Sequence, residues 1–263
     1  MRIRRNIAQA AGKTALAFNT ETAERPDDCW HYDEDHGFLL QPGCDLIAGL
    51  EKATQPEVSG KLYSFSCYRA TEYVILLGIA QELRDSNPAL LTALQSYSER
   101  HAIRSGQFHD VFMIEYGSTE APLPPRYYVP GDRLWFRNPH ERSADITGFE
   151  GSWVLYMGGG LFGNFWAQRY PFTLTTKCVE MYHWRDGAYL DAQGEIRMND
   201  AAAESPVPIT LADPVAVRRI LDLMVRLREP RGVYLNGGCI DATREYPRAV
   251  RPGTAAIVLP PID

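Results

Sequence analysis

The residue of this chain best placed to do chemistry is Cys67, in the segment KLYSFSCYRATEYVILLGIAQELRDSN. Apolar residues at Ala70, Val74, Leu77, Ala80 and Leu83 recur at a helical period, so the spacing predicts a helix that begins near Cys67, with Ser66 as its N-cap. The aligned peptide dipoles and free N–H groups at a helix N-terminus favour a thiolate. A cysteine there can attack a carboxamide carbon, provided a base is in reach of its proton. The same side chain packed away from water is an inert small hydrophobe, and position alone does not separate the two readings.

The remaining cysteines, Cys29, Cys44, Cys178 and Cys239, carry no motif and read as small buried hydrophobes. Five cysteines, odd and sparse, do not make a disulfide framework, and no CxxC supports a zinc ribbon or a thioredoxin-type pair. The stretch ERPDDCWHYDEDHG gathers His31, Asp33, Asp35 and His36. Their spacing fits no standard ligand pattern, and a solvated acidic loop is the simpler account. No metal and no cofactor is expected.

These residues need elements to position them. Residues 1–43 read as an irregular extension; its basic start is a weakly amphipathic helix or a junction left by excision from a longer chain, and lacks the apolar core of a secretory signal. Residues 42–52 form a short helix and 56–60 a loop. After the Cys67 helix, Asn87-Pro88 opens a second helix, PALLTALQSYSERHAI, which Gly106 ends. FHDVFMIEY and DRLWFRNP read as strands. Residues 154–157 and 161–166 read as a hairpin around the glycines at 158–160. LTTKCVEMYHWRDGAYLD reads as a further strand with a turn at Asp186-Gly187. In ADPVAVRRILDLMVRLREP, Asp213 caps a late helix, Pro214 occupies its first turn and Pro230 lies beyond its end. The last segment, with Gly237 and Gly238, reads as loop. The expected architecture is one α+β domain over residues 1–263.

Composition narrows the function classes. A net charge of −6 argues against nucleic acid as a partner. No apolar run approaches the roughly 20 residues of a membrane span. Without a secretory leader, the expected location is the cytoplasm, or export as a bacterial effector by a route that needs no such leader.

A Cys-headed helix followed by a hairpin sheet is the order used by papain-like amidases and acyl-transfer enzymes. Here the sequence resembles a family, the bacterial spore-type protein-glutamine γ-glutamyltransferases (Tgl transglutaminases). YSFSCYRATEYVILLGIA is similar to the family's nucleophile segment through Phe65, Cys67 and Ala70. PGDRLWFRNP is similar to its GD-x-hydrophobic-aromatic-F-x-NP strand through Gly131, Asp132, Phe136, Asn138 and Pro139. GSWVLYMGGGLFGNF resembles the hairpin that in the family carries a catalytic Glu and then a His. The resemblance runs over residues 61–168, and the same strand pair is similar to NlpC-type cysteine peptidases. It implies attack by Cys67 on a protein glutamine, a thioester, and resolution by a lysine or other amine, or by water.

The polar partners depart from the pattern. Ser66 stands where the family has an acid, Ser152 where it has Glu, and Asn164 where it has His. Glu150 lies two residues before Ser152 and would point to the same face of a strand. Three readings follow. In the first, Glu150 is the base to Cys67 and Asn164 a hydrogen-bond donor, since an amide cannot be a base. In the second, a histidine from elsewhere serves, His140 and His183 being nearest by order, although His140 also reads as solvent-exposed and His183 as a strand residue beside aromatics. In the third, the fold binds a protein partner without catalysis. A cysteine peptidase or amidase is a rival within the enzyme class. Asp132 reads as a strand-start residue. Trp135, Trp153, Phe162, Phe165 and Trp166 read mainly as core, with one or two left to line a groove for a glutamine side chain.

Overall fold

A computed structural model of the chain describes residues 2–17, 22–102, 105–229, 238–250 and 256–261. The chain starts in helix α1 (Arg2–Lys13), which buries Ile3, Ile7, Ala10 and Ala11 on one side against the Cys67 helix, α4 (Cys67–Ser86). The expected irregular extension over 1–43 is thereby corrected. Its amphipathic start is this helix, and a hairpin of β1 (Trp30–Asp33) and β2 (Gly37–Leu40) follows. Four small or branched apolar residues among arginines make a stripe that composition hides. Arg2 ties α1 to Glu82 of α4 at 2.7 Å.

The hairpin also corrects the reading of two cysteines. Cys29 and Cys44 are joined by a disulfide with Cα atoms 5.3 Å apart. The pairing Trp30↔Leu40 and the Gln41 N–H to Cys29 carbonyl bond of 2.8 Å bring the hairpin ends together. This proximity is made by strand register, which spacing of cysteines does not reveal.

Helix α2 (Leu46–Thr54) follows, capped by Asp45, and then α3 (Pro56–Ser59), a single turn where a loop was expected. Helix α4 begins where the sequence places it, with the Ser66 hydroxyl accepting from the Arg69 N–H at 3.3 Å. Helix α5 (Pro88–Ser98) has Pro at its first position and Asn87 as cap. The segment expected as the strand FHDVFMIEY divides. Its first half completes α6 (Ser105–Phe112), which runs through Gly106, and only β3 (Met113–Tyr116) is extended. Phe108, Val111 and Phe112 are buried at helical spacing, a stripe too short to be told from a strand by composition.

Strand β4 (Arg133–Arg137), a turn of helix α7 (Glu141–Ala144), β5 (Gly151–Gly158) and β6 (Leu161–Phe162) come next. The glycines at 158–160 all take positive φ in the expected turn, and the second arm is shorter than read. After β7 (Phe172–Thr173), the segment expected as a strand is helix α8 (Leu174–Gly187). Thr173 and Thr176 form a capping box at its start, and burial of Cys178, Val179 and Met181 outweighs the β-branched and aromatic composition. A small hairpin of β8 (Ala188–Leu190) and β9 (Ile196–Met198) leads to α9 (Asp200–Glu204), α10 (Pro206–Leu211) and α11 (Pro214–Met224), the last capped by Asp213 as expected. Pro230 and Gly237 lie outside the described residues. The segment read as loop supplies β10 (Arg244–Pro247), which lies inside the main sheet between β3 and β4.

The main sheet has six strands in the order β3-β10-β4-β5-β6-β7, with every pairing antiparallel. Alternate residues of β5 point to opposite faces. Leu155 joins the apolar cluster of α1, α2 and α4, whereas Val154 joins that of α8 and α11. The antiparallel sheet therefore lies between two helical layers, with α4 headed by Cys67 packed on β5. The α+β class and the Cys-headed helix on a sheet are as the sequence implies.

Candidate active site

Cys67 is the first residue of α4, and its half-buried thiol meets the sheet at Trp153 of β5. In the register Trp135↔Trp153 and Arg133↔Leu155, these four side chains share the face toward α4. The Trp135 and Trp153 rings stack at 5.2 Å with an 11° interplanar angle, and the Tyr68 ring meets Trp153 edge-on at 4.9 Å. Arg133, fully buried, lies 4.9 Å from the Tyr68 ring and 5.3 Å from the Trp153 ring. Its Nε donates to Glu245 of β10 at 2.5 Å, and His109 meets the other oxygen of Glu245 at 2.7 Å.

A cavity of about 880 Å³ opens on Cys67 and is lined by Glu150, Trp135, Trp153, Arg25 and His36 among others. Glu150 lies in the loop just before β5 rather than on the strand. Its carboxylate accepts from the Gly148 N–H at 2.9 Å, and its carbonyl accepts from the Asn138 N–H at 3.0 Å. The buried Asn138 amide also donates to the Phe149 carbonyl at 2.9 Å and to the Ser143 hydroxyl at 2.8 Å, so the Asn-Pro motif holds the loop that presents Glu150. Next to it, Gly151 lets the chain pass under Trp135. A Cβ there would stand 2.2 Å from the indole nitrogen and 2.4 Å from the Phe136 carbonyl.

Asn164 is not brought to this cavity. Its amide donates to the Tyr170 carbonyl at 2.9 Å and accepts from the Ala167 N–H at 3.2 Å, closing the turn after β6. His140 is also elsewhere, as the cap of α7, with its ring 3.0 Å from the Ser143 hydroxyl. His183 is a buried residue of α8 rather than of a strand, between Asp186 at 2.6 Å and Thr210 at 2.8 Å. The histidine that does line the cavity is His36, which the sequence offered only as a metal ligand. It sits at the tip of the β1–β2 hairpin with its Nδ1 2.7 Å from Asp33, whose carboxylate also accepts the Asp35 and His36 N–H groups. Only the folding of the hairpin over α4 brings it there, and no local signal marks it. Asp132 is buried and takes Arg4 at 2.5 Å, the Tyr116 hydroxyl and the Val129 N–H. Of the aromatics, Trp135 and Trp153 line the cavity, Phe162 and Phe165 are core, and Trp166 is partly exposed.

Burial pushes the Cys67 thiol above its ordinary range. The N–H groups of Trp153, Tyr68 and Cys67 itself and the positive Lys177 oppose this, and are outweighed. Burial thus opposes the thiolate that the helix N-terminus was expected to favour, so a nucleophile at this position would need a base to take its proton.

No helix among the described residues is long and apolar enough to cross a membrane. No curated protein matches the chain. The transglutaminase from Geobacillus stearothermophilus, without its C-terminal extension, aligns with a TM-score of 0.49 at 18% identity, over 78% of this chain and 93% of that one. The family model described as protein-glutamine gamma-glutamyltransferase matches residues 1–257. That match takes in both helical layers and the whole sheet, so the chain belongs to the protein-glutamine gamma-glutamyltransferase family, whose reaction is acyl transfer on protein glutamine.

Proposed function

We propose that Cys67 is the nucleophile of this acyl transfer and Glu150 its base. The observation that carries the reading is that these two side chains line one cavity, on a wall built by Trp135 and Trp153. Glu150 takes the thiol proton as sulfur attacks the glutamine carboxamide. The oxyanion is held by the N–H groups that face the sulfur, those of Trp153 and Tyr68. The proton passes to the departing ammonia and a thioester remains. A lysine amine then attacks the thioester, releasing the thiol and leaving an isopeptide bond. Water in its place gives deamidation. The aromatic lining favours the amine by limiting water, so crosslinking is the preferred outcome. Asn164 has no part in this reading, because both ends of its amide are engaged in the turn after β6.

A second reading of the base rests on His36, which lines the same cavity and is oriented by Asp33. Amine incorporation into casein, with ammonia followed in parallel, separates the two. Cys67→Ala removes both signals. Glu150→Gln lowers kcat about a hundredfold, within the usual range for loss of a general base, and His36→Asn leaves kcat near wild type. The reverse order moves the base to His36. Activity retained by Cys67→Ala sinks the cysteine mechanism, and the absence of both signals from the unsubstituted protein leaves a binding role. The Cys29–Cys44 disulfide favours an oxidising compartment over the cytosol for the working protein.

A further inference from the structure

One wall of the cavity carries a cation that the reaction does not use. Arg25 is only 9% exposed. Its guanidinium carbon lies 3.3 Å from the centre of the Phe65 ring and 4.7 Å from those of Phe38 and Tyr73, so the group is caged by three aromatic rings. One terminal nitrogen donates to the Glu24 carbonyl at 2.7 Å and the Ser64 carbonyl at 3.0 Å. Its Nε is buried with no hydrogen-bond partner, and among the described residues no carboxylate forms an ion pair with it. The acid beside it in sequence, Glu24, pairs with Lys61 at 3.2 Å. Burial pulls the guanidinium below its ordinary range, and the Tyr73 hydroxyl offsets this only in part.

A buried cation without a counterion is costly, and aromatic caging makes an approaching anion's attraction stronger than it would be in water. The position is informative. Phe65 and Ser64, which hold Arg25, come directly before Ser66 and Cys67, so this cation belongs to the stretch of cavity adjoining the nucleophile. The other charges lining the cavity are Arg69, Asp35, Glu150 and His36 when protonated. Arg69 is matched by Glu72 at 2.7 Å, and Glu150 is assigned to the proton transfer.

We propose that Arg25 is a subsite for a carboxylate of the acyl donor, so that the protein selects glutamines with an acidic residue close by in the chain. The planar guanidinium presents donors to a carboxylate while its face rests on Phe65. This rests on the acyl-transfer reading above and adds the donor's chemistry to it.

The test uses synthetic peptides with one glutamine and an Asp, Asn or Lys scanned through the flanking positions on each side. Ammonia release is measured with the full chain, and binding of the same peptides is measured by fluorescence anisotropy with Cys67→Ala. At one or more flanking positions, Asp raises kcat/KM over Asn by about tenfold, chiefly through KM, as one charge-assisted hydrogen bond would. Lys lowers it. The Asp-to-Asn ratio falls to about one in Arg25→Gln and is partly kept in Arg25→Lys. Turnover with no Asp preference at any position in the unsubstituted protein overturns the subsite and leaves the acyl-transfer reading standing, whatever the variants do. If no peptide yields ammonia, the acyl-transfer reading falls, and binding decides the subsite. Tighter binding of Asp peptides keeps it, and equal binding overturns it.

Discussion

The two faces of the main sheet are made by neighbouring residues of the same strands, and they differ in kind. Toward α8 and α11, Leu134, Phe136, Val154 and Phe162 close on Cys178, Val179, Ile220 and Met224, all buried and apolar. Toward α4, the residues between them include Arg133, Trp135 and Trp153, which carry charge or border an open cavity. A β-strand's alternation thus lets β4 and β5 anchor the fold with one face and build a reactive surface with the other. The lesson is that the site is stiffened from behind. Trp153 is held where its N–H meets Cys67 because Val154, next to it, is locked in a dry core.

Adjacent residues of β4 give the strongest test of this division. Phe136→Ala empties part of the dry face and costs about 3–5 kcal/mol of stability in urea unfolding, while the protein that remains folded keeps its kcat. Trp135→Ala, one position earlier, removes a ring stacked on Trp153 and part of the cavity wall. It costs about 1 kcal/mol through the aromatic pair and raises KM severalfold for peptide glutamine. If Phe136→Ala lowers kcat of the folded protein as strongly as Trp135→Ala raises KM, the two faces do not act separately.

The second test concerns the thiol. Burial holds the Cys67 acid dissociation above the ordinary thiol range, so at neutral pH the folded protein carries the protonated form. Thiolate forms as pH rises, and the rate of alkylation by iodoacetamide follows it. The rate should climb about tenfold per pH unit and level off only above about pH 8.5, the value of a free cysteine. Levelling below pH 7.5 would mean that the helix N-terminus outweighs burial. Cys178 and Cys239 lie on the dry face, fully buried with sulfurs 3.8 Å apart, and should stay unmodified throughout.

The difference between the faces also explains what was legible in the sequence. Cys67, its cap Ser66, the strands of β4 and β5 and the capped α11 are local signals: a cap, a period, a turn residue. Helix α4 is legible for that reason, whereas α1, the β1–β2 hairpin and α6 beside it are not. On the far side, α8 is rich in Thr, Val, Tyr and Trp and presents a strand-like composition, and its capping box is the one local mark of a helix. Strand β10 hides in a Gly/Pro-rich tail because it forms only by inserting between β3 and β4, a pairing across more than a hundred residues. The site divides in the same way. Glu150 was within reach because it neighbours β5. His36 enters the cavity from the tip of the β1–β2 hairpin and Arg25 from the segment that precedes it, and the placement of both depends on long-range packing. Asn164 was placed by aligning the hairpin arms, and the short β6 puts it in a turn instead.

The smallest expected effect sets the two layers side by side through their caps. The Ser66 hydroxyl accepts the Arg69 N–H at 3.3 Å, and the Asp213 carboxylate accepts the Val215 N–H at 2.9 Å. Loss of either cap by substitution with Ala costs about 1 kcal/mol, measured as a shift in the urea midpoint. Their effects on turnover should differ. Ser66→Ala loosens the turn that directs the Tyr68 and Cys67 N–H groups at the sulfur, so kcat falls a fewfold beyond any loss of folded protein. Asp213→Ala frays α11 at an exposed end, far along the chain from the residues that line the cavity, and kcat holds. An equal fall in kcat for both would show that helix order in either layer reaches Cys67 through the sheet, whereas a fall confined to Ser66→Ala locates the sensitivity in the first turn of α4.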